Sequence, residues 1–304
     1  MTNILGIEKP FCLAPMDKLN YASFRLMCKD NGADIIFTQM YDVNKICNMS
    51  KEEVKSLINI QKEEHPIIVQ LIGRDTKKIR KAIELVDDLC DGINLNAGCI
   101  EKEYLERECG ANLLNDLDRL SKIVRSMRAA TRKNLSVKIR IGKDANSINV
   151  VNICKCIEDA KADLIIIHGR TSQQKYAGKS SYMAIKQAKE KVSIPVIANG
   201  DVTSYDKGLE LMEKTNTEGV MIGRETKYRP WLFNNEFKET NNNIKEQLLF
   251  YLELVKIYDS DLPLDVVKDI VFRMTRNFQT NVDKWDIKKK CKTFEEVVEF
   301  IGNI

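Results

Sequence analysis

Four short runs of β-branched and apolar residues between positions 136 and 222 decide the fold: SVKIRI (136–141), DLIIIH (163–168), IPVIA (194–198) and GVMI (219–222). Four similar runs precede them: FCLA (11–14), DIIFT (34–38), PIIVQL (66–71) and GINL (92–95). Continuous apolar runs of this length are typical of strands buried on both faces of a parallel sheet. The sequence therefore predicts eight such strands.

Charged segments with helical periodicity separate most of these strands. They include TKKIRKAIELVDDLC (76–90), DLDRLSKIVRSMRAAT (116–131) and SYDKGLELMEKT (204–215). Strands that alternate with helices indicate either a closed (β/α)8 barrel or an open, doubly wound sheet. The doubly wound sheet usually carries a GxGxxG turn after its first strand, and this sequence has none. We therefore predict an α/β protein built on a (β/α)8 TIM barrel.

The pattern changes after PWLF (230–233). Three segments with helical periodicity follow, at 244–258, 264–279 and 293–303, without a further strand candidate. Asn241–Asn243 has the composition of a linker, and Thr293 with Glu296 has the spacing of a capping box. We predict a catalytic barrel over residues 1–238 and a small, all-helical C-terminal domain over residues 239–304.

Composition excludes several classes of protein. The 304 residues are 43% hydrophobic, and no run approaches the roughly 18 apolar residues of a membrane span. No signal peptide is visible, so we expect a cytoplasmic protein without membrane association. Nine cysteines without a CxxC pair, together with only two histidines, predict neither a disulfide framework nor a metal site. A net charge of +4 does not by itself indicate nucleic-acid binding, and no oligomeric partner is indicated.

Polar residues cluster where the predicted strands end. In a (β/α)8 barrel the active site lies at the carboxyl ends of the strands. The clusters are 14–16, 70–73, 94–99, 138–142, 168–171, 199–201 and 223–224. Seven of the eight strands thus bring a polar or glycine-containing segment to one face, which indicates a functional site there.

The last two clusters have the composition of a phosphate site. Gly200 and Gly223 allow backbone N–H groups to approach a ligand closely, and Arg224 adds a planar cation. Lys138 would be a costly buried charge unless it meets an anionic or electron-accepting group. Polar side chains at the ends of strands three and six can hydrogen-bond a flat heterocycle. These features fit flavin mononucleotide (FMN), and they fit a phosphorylated substrate equally well.

Seven motifs resemble, in order, those of the tRNA-dihydrouridine synthase family. They are FCLAPM (11–16), INLNAGC (93–99), GANLL (110–114), VKIRIG (137–142), HGRTSQQKYAG (168–178), VIANGDV (196–202) and VMIGRETKYRPWLF (220–233). The resemblance implies an FMN-dependent (β/α)8 barrel followed by a small helical tRNA-binding domain. The chain departs from the family's usual pattern at Gln39, Ile100, Glu103, Tyr228 and 180–182.

The resemblance implies that Cys99 is the catalytic acid. Saturating the C5–C6 bond of uridine needs a hydride at C6 and a proton at C5. A thiol with an ordinary pKa of about 8.5 stays protonated at neutral pH and can donate that proton. The implied cofactor contacts are Ala14, Pro15, Met16, Gln70, Lys138, His168, Asn199, Gly200, Asp201, Gly223 and Arg224. The implied substrate contacts are Asn96, Arg140 and Arg170.

The function predicted on this basis is reduction of a specific uridine in tRNA, with FMN reduced by NADPH or NADH. Two alternatives stay open: a flavin-dependent oxidoreductase of a free small pyrimidine, similar to dihydroorotate dehydrogenases, and an inactive RNA-binding paralogue. The helical tail favours a macromolecular substrate. Its candidate tRNA contacts are Arg273, Arg276, Lys284, Lys288, Lys289 and Lys290, with Trp285 as a stacking surface.

Overall fold

A computed structural model describes residues 3–279 and 282–304, and its centre is a closed barrel of eight parallel strands. The strands are β1 (Phe11–Leu13), β2 (Ile35–Asp42), β3 (Ile67–Ile72), β4 (Gly92–Ala97), β5 (Asn134–Arg140), β6 (Leu164–His168), β7 (Val196–Asn199) and β8 (Gly219–Ile222). Each strand pairs with its neighbour in sequence, and β8 pairs with β1 to close the barrel. The predicted (β/α)8 barrel is therefore confirmed.

Most of the α-helices in the described residues connect successive strands on the outside of the barrel. The helices are α1 (Ala22–Asp30), α2 (Val43–Ile46), α3 (Lys51–Ile58), α4 (Thr76–Val86), α5 (Lys102–Glu106), α6 (Leu117–Ala130), α7 (Val150–Asp159), α8 (Tyr182–Lys189), α9 (Tyr205–Thr215), α10 (Asn241–Tyr258), α11 (Leu264–Met274), α12 (Asp286–Lys289) and α13 (Phe294–Asn303). Side-chain caps set several of their starts. The Asp116 carboxylate accepts from the N–H of Arg119 at α6, and Ser204 Oγ accepts from the N–H of Lys207 at α9.

Two apolar clusters form the core. The larger cluster fills the space between the strands and the surrounding helices. The smaller lies inside the barrel and draws on Cys12, Ile35, Phe37, Ile68, Leu164, Ile166, Ile197 and Met221. The inward positions of β3, β4 and β5 nearer the carboxyl end carry polar side chains instead, because Gln70, Asn94 and Ser136 face one another across the adjacent strands. The next residue along this register, Leu164 of β6 opposite Ser136, is apolar again.

The first C-terminal helix, α10, packs against the barrel helix α1. Asn31 at the end of α1 donates to Gln247 Oε1 in α10 at 2.8 Å. Asp259, which follows α10, accepts from the N–H of Ser23 in the first turn of α1 at 2.6 Å. The three helical segments predicted for the tail are confirmed as α10, α11 and α13. That residues 239–304 form a domain of their own stays a prediction.

One detail of the tail prediction is wrong. Asn241–Asn243 is the first turn of α10, where Thr240 Oγ1 accepts from the N–H of Asn243. This turn is exposed, so its residues add nothing to the apolar period that marks the rest of the helix. Within the described residues, no helix combines the length and apolarity that a bilayer span requires.

Candidate active site at the carboxyl end of the barrel

Cys99 lies on a loop that hydrogen bonds attach to the end of β4. Asn96 Oδ1 accepts from the N–H of Gly98 at 3.0 Å and from the N–H of Cys99 at 2.8 Å. The Cys99 carbonyl accepts from the N–H of Ala111 at 2.8 Å. Gly110 has a φ of 59°, and a Cβ there would lie 2.6 Å from the Cys99 oxygen. Only glycine therefore lets the GANLL segment pack against the Cys99 loop.

The Cys99 thiol is partly exposed, and the surroundings keep it protonated. Burial is the largest influence and raises the pKa of the thiol above its usual value. The Glu101 backbone and the Arg140 guanidinium act in the opposite direction without reversing the shift. All nine cysteines are free, and six of them are buried, so Cys99 is one of three with an accessible surface. At neutral pH the thiol is therefore protonated.

The polar sector inside the barrel leads to this loop. Asn96 Nδ2 donates to Gln70 Oε1 at 2.8 Å, and Gln70 Nε2 donates to Asn94 Oδ1 at 2.7 Å. Asn94 Nδ2 in turn donates to Ser136 Oγ at 2.8 Å. Gln70, a predicted flavin contact, therefore has both ends of its amide engaged within the barrel wall. The sequence motifs assigned no role to Asn94 or Ser136. Each lies two residues before a predicted site residue, on the same face of its strand.

Lys138 and His168 lie beside each other at the centre of the barrel mouth. Lys138 Nζ donates to Asn199 Oδ1 at 3.2 Å, and Asn199 Nδ2 donates to the Met221 carbonyl. Burial, followed by the nearby Arg140, lowers the pKa of Lys138 to about 7. Burial and the charge of Lys138 lower the pKa of His168 to about 2, so the imidazole is neutral. A bound anion would favour the charged form of Lys138.

The β6–β8 side of the mouth is organised around the Asp201 carboxylate. Asp201 Oδ1 accepts from Arg170 Nη2 at 2.6 Å and from Arg224 Nη2 at 2.9 Å, while Oδ2 accepts from the N–H of Ser180 at 2.7 Å. Burial by itself would raise the pKa of Asp201, but these donors outweigh it and lower the pKa. Asp201 has a left-handed φ of 59°. It is therefore an ionised group that orients two arginines.

The residue at position 200, next to this carboxylate, must be glycine because the space for a side chain is already filled. Its φ is 129°, and a Cβ on it would lie 2.3 Å from Ser180 Oγ. That hydroxyl is buried and has no hydrogen-bond partner among the described residues. Gly223 lies against β1, where a Cβ would be 3.3 Å from the Ala14 Cβ. The next two predicted contacts, at 15 and 16, follow β1 at the same rim and are partly buried.

Arg140 and Arg170 reach the site but are occupied with backbone carbonyls. Arg140 donates to the Gly98 carbonyl at 2.9 Å and to two carbonyls within 171–175. Arg170 donates to two carbonyls within 177–178. Both residues are 3% exposed or less. These side chains hold the loop after β6 in place beside the Cys99 loop, and their contact with substrate stays a prediction.

Tyr176 is a candidate that the motif comparison did not single out. Its ring lies on the loop after β6 and is 57% exposed. The ring centre is 5.1 Å from the Arg224 guanidinium carbon and 5.8 Å from that of Arg140. The tyrosine of the HGRTSQQKYAG motif was a visible signal for it. A flat aromatic face between two cations at the mouth suits a nucleobase.

The basic residues predicted in the tail are engaged with other groups of the protein: Lys284 donates to the Thr275 carbonyl at 2.7 Å, and the other five each pair with a carboxylate. The pairs are Arg273–Asp269, Arg276–Glu225, Lys288–Asp269, Lys289–Asp283 and Lys290–Asp286. Arg276 also lies over the Tyr228 ring, 4.6 Å from its centre. Trp285 is 52% exposed. Burial, followed by the charges of Arg273 and Arg224, lowers the pKa of Lys227. Lys227 therefore lies close to cations of both the barrel mouth and α11.

No metal centre is evident in the part of the chain that the structure describes. Over residues 3–279 and 282–304, no three His, Cys, Asp or Glu side chains converge on a common point.

Known proteins resemble this chain over most of its length. The family model described as dihydrouridine synthase matches residues 12–294. A "probable tRNA-dihydrouridine synthase" of Rickettsia bellii is 32% identical over 229 residues, which cover 75% of this chain and 70% of that protein. The "tRNA-dihydrouridine synthase B" of Pseudomonas putida is 33% identical over 223 residues, covering 73% of this chain and 66% of the relative.

Solved structures resemble it in fold. An old yellow enzyme homologue from Zymomonas mobilis superposes with a TM-score of 0.52 at 11% identity, covering 73% of this chain and 86% of that one. A variant of that protein gives a TM-score of 0.54 at 14% identity, with 77% and 90% covered. At such identities the likeness concerns the barrel alone. The family match, which extends over both the Cys99 loop and the cation-lined rim, shows that this chain belongs to the dihydrouridine synthase family.

Proposed function

We propose that this protein reduces a uridine in tRNA to dihydrouridine, with FMN as cofactor, NADPH as reductant and Cys99 as the proton donor. The family match and the names of the relatives support the reaction. The observation that carries the mechanism is the position of a protonated thiol on one side of a barrel mouth whose other side is lined by cations.

The residues of the β6–β8 side fit FMN. Arg224 would bind the phosphate together with backbone N–H groups at Gly200 and Gly223. Ser180 Oγ, which has no partner among the described residues, is a further donor. Asp201 is negatively charged, so we assign it to the orientation of Arg224 rather than to phosphate contact.

The ring of the cofactor would lie between Lys138 and the rim after β1. Lys138 can meet the negative charge of a reduced ring, and the neutral His168 offers a directed hydrogen bond. Ala14, Pro15 and Met16 supply a short apolar rim on which a ring can pack. The predicted contacts of Gln70 and Asn199 follow from their places beside Asn96 and Lys138.

The proton step belongs to Cys99. FMN, when bound and reduced, would supply the hydride that adds to C6 of the uracil. Cys99 Sγ–H donates its proton to C5, and the S–H bond breaks as the C5–H bond forms. Arg140 favours the resulting thiolate, since its charge offsets part of the rise in pKa that burial imposes on Cys99. The thiol is partly exposed, so solvent can return the proton.

The substrate must enter the mouth as an unstacked base. Drawing a base out of a folded RNA costs a few kcal/mol, which phosphate contacts outside the barrel offset. Arg273, Arg276 and the lysines at 288–290 are the predicted contacts on the tail. Tyr176 is placed to stack on the base or its neighbour.

Purified protein tests the proposal directly. We expect a yellow protein that releases FMN on denaturation and that, with NADPH and unmodified tRNA, adds two hydrogens to one tRNA fragment by mass spectrometry. Parallel assays with NADH and with free pyrimidines compare the reductants and the small-molecule alternative. A colourless protein that takes up no added FMN, or turnover of a free pyrimidine in place of tRNA, would contradict the proposal.

A further inference from the structure

The polar sector inside the barrel forms a continuous row of side chains, which we name the amide row: Ser136, Asn94, Gln70 and Asn96. We propose that Asn94 and Ser136 are positioning residues for Cys99, which they do not touch, and that they act by fixing Gln70 and Asn96 and thereby the loop that carries the thiol. This inference rests on the proposed role of Cys99 as the proton donor.

The register of the strands creates the row. Gln70 of β3 lies opposite Asn94 of β4, and Asn94 lies opposite Ser136 of β5. Asn96 follows Asn94 by two residues, so both side chains face the barrel interior. All four residues are 8% exposed or less, and three of them are 1% exposed or less.

The hydrogen bonds of the row all run in one direction. The N–H groups of Gly98 and Cys99 can only donate, so Asn96 must turn its Oδ1 toward the loop. Its Nδ2 then donates to Gln70, whose own Nε2 is left to donate to Asn94. The same logic continues to the far end of the row.

The far end of the row is closed by a hydroxyl and a backbone carbonyl. Asn94 has its Oδ1 occupied by Gln70, so its Nδ2 donates to Ser136 Oγ at 2.8 Å. The Ser136 hydroxyl in turn donates to the Ile93 carbonyl at 3.4 Å. Every amide in the row therefore has one possible orientation, set by backbone groups at both ends.

Such a row is expensive to keep unless it has a function. The interior of a (β/α)8 barrel is usually filled by branched apolar side chains, as it is in the other sectors here. A buried amide is tolerated only when all its partners are present. The row is also neutral, so it holds the Cys99 loop without adding a cation that would draw the proton off the thiol.

The kinetic test compares the two half-reactions of the FMN-loaded protein. In Ser136→Ala the Asn94 Nδ2 loses its acceptor, and in Asn94→Ser the shorter side chain cannot reach Gln70. We expect reoxidation of the reduced flavin by tRNA to slow by about tenfold, since small misplacements of a reacting group are costly. Reduction by NADPH should change by less than about threefold, because Cys99 takes no part in it.

Two further variants separate positioning from loss of fold. Ser136→Thr keeps the hydroxyl and should restore tRNA reoxidation. Ser23→Ala removes an equally buried hydroxyl from α1, outside the row, and should leave both half-reactions unchanged. Equal slowing of both half-reactions, or no slowing in either row variant, would overturn the proposal.

A second measurement does not depend on the proposed reaction. Iodoacetamide labelling of the peptide that contains Cys99, followed by mass spectrometry over a range of pH, reports the accessibility and pKa of the thiol. In Ser136→Ala and Asn94→Ser we expect faster labelling and a midpoint shifted to lower pH, because a freed loop exposes the thiol to water. Unchanged labelling profiles would overturn the positioning role even if tRNA reduction were absent from the wild-type protein.

Discussion

The two sides of the barrel mouth are built from different chemistry. The β3–β5 side carries Cys99 on a loop held by neutral amides and a hydroxyl. The β6–β8 side is held by ion pairs, with Asp201 between Arg170 and Arg224. Lys138 lies at the border, since it belongs to β5 and donates to Asn199 of β7.

This difference separates two tasks that interfere with each other. A thiol that must keep its proton is best supported by groups without charge, because a nearby cation lowers its pKa. An anionic cofactor needs cations whose direction is fixed by a carboxylate. The paired arginines Arg170 and Arg224 lie on the β6–β8 side, while burial keeps the thiol protonated despite the nearby Arg140. Substitutions on each side should therefore affect different steps.

Cys99→Ala should give the largest effect. Without the thiol proton, dihydrouridine formation should fall by about 10²-fold or more, the usual scale for a positioned acid. FMN content and reduction by NADPH should stay at wild-type level, because the cation-lined side is untouched. Cys47→Ala removes another partly exposed cysteine and serves as the control. Wild-type turnover of tRNA by the Cys99 variant would remove the thiol from the mechanism.

Arg224→Ala, on the β6–β8 side of the mouth, should give the next largest effect. Loss of one charge-assisted phosphate contact should weaken FMN binding by about tenfold, since the side chain is half exposed. The measurement is a fluorescence titration of the apoprotein with FMN. Arg125→Ala removes an arginine from α6, where its Nε bonds only Ser121 Oγ, and should bind FMN normally. An unchanged FMN affinity in Arg224→Ala would place the phosphate elsewhere.

Lys138→Met tests the border between the two sides through pH. The pKa of Lys138 is about 7 in the folded protein and about 10.4 in an unfolded chain, so between these values only the unfolded chain binds the proton. Raising the pH from 7 to 9 should therefore stabilise the wild-type apoprotein relative to Lys138→Met by about 2 kcal/mol. Urea unfolding at several pH values measures this difference. Parallel stability curves would show that Lys138 does not carry the lowered pKa.

The lysine run of the tail should show the smallest effect. Lys288, Lys289 and Lys290 each lie within ion-pairing reach of an aspartate, which reduces their net attraction for phosphate. Replacing all three with Ala should weaken tRNA binding by about twofold to threefold and flatten its salt dependence slightly.

A matched triple variant gives this last comparison its control. Exposed lysines at 155, 161 and 191 lie on or after α7 and α8, and replacing them removes the same charge from another face. Filter-binding titrations of tRNA at several salt concentrations compare the two triples, with FMN content as a check on folding. If both triples behave alike, the lysine run is ordinary surface.

Much of the fold could be predicted because strand and helix signals are local. GVMI (219–222) coincides with β8, and the segments 116–131 and 204–215 contain α6 and α9 with their capping residues. DIIFT (34–38) falls short of β2, which runs to Asp42. The register shift between Phe37 and Met40 and the polar residues there interrupt the apolar run. Exposed first turns, as in α10, are missed for a similar reason.

The sequence predicted which residues form the candidate site, but not how they pair with one another. Cys99, Lys138, His168 and the residues after β7 and β8 meet at one end of the barrel, as parallel strands require. The partner of each side chain was not predictable. Asp201 stays a predicted cofactor contact, but the sequence did not show that Arg170, Arg224 and the Ser180 N–H donate to its carboxylate.

The sequence by itself determined the eight strands, their order and the identity of the residues at their ends, because apolar periodicity and motif spacing act over a few neighbouring residues. Only the tertiary structure decided which polar groups pair. Gln70 and Asn94 are 24 residues apart, and Arg224 and Asp201 are 23 apart, and strand register brings each pair together. Pairing in turn sets whether a group is charged, oriented or free to act, since a buried polar group takes its properties from its partners.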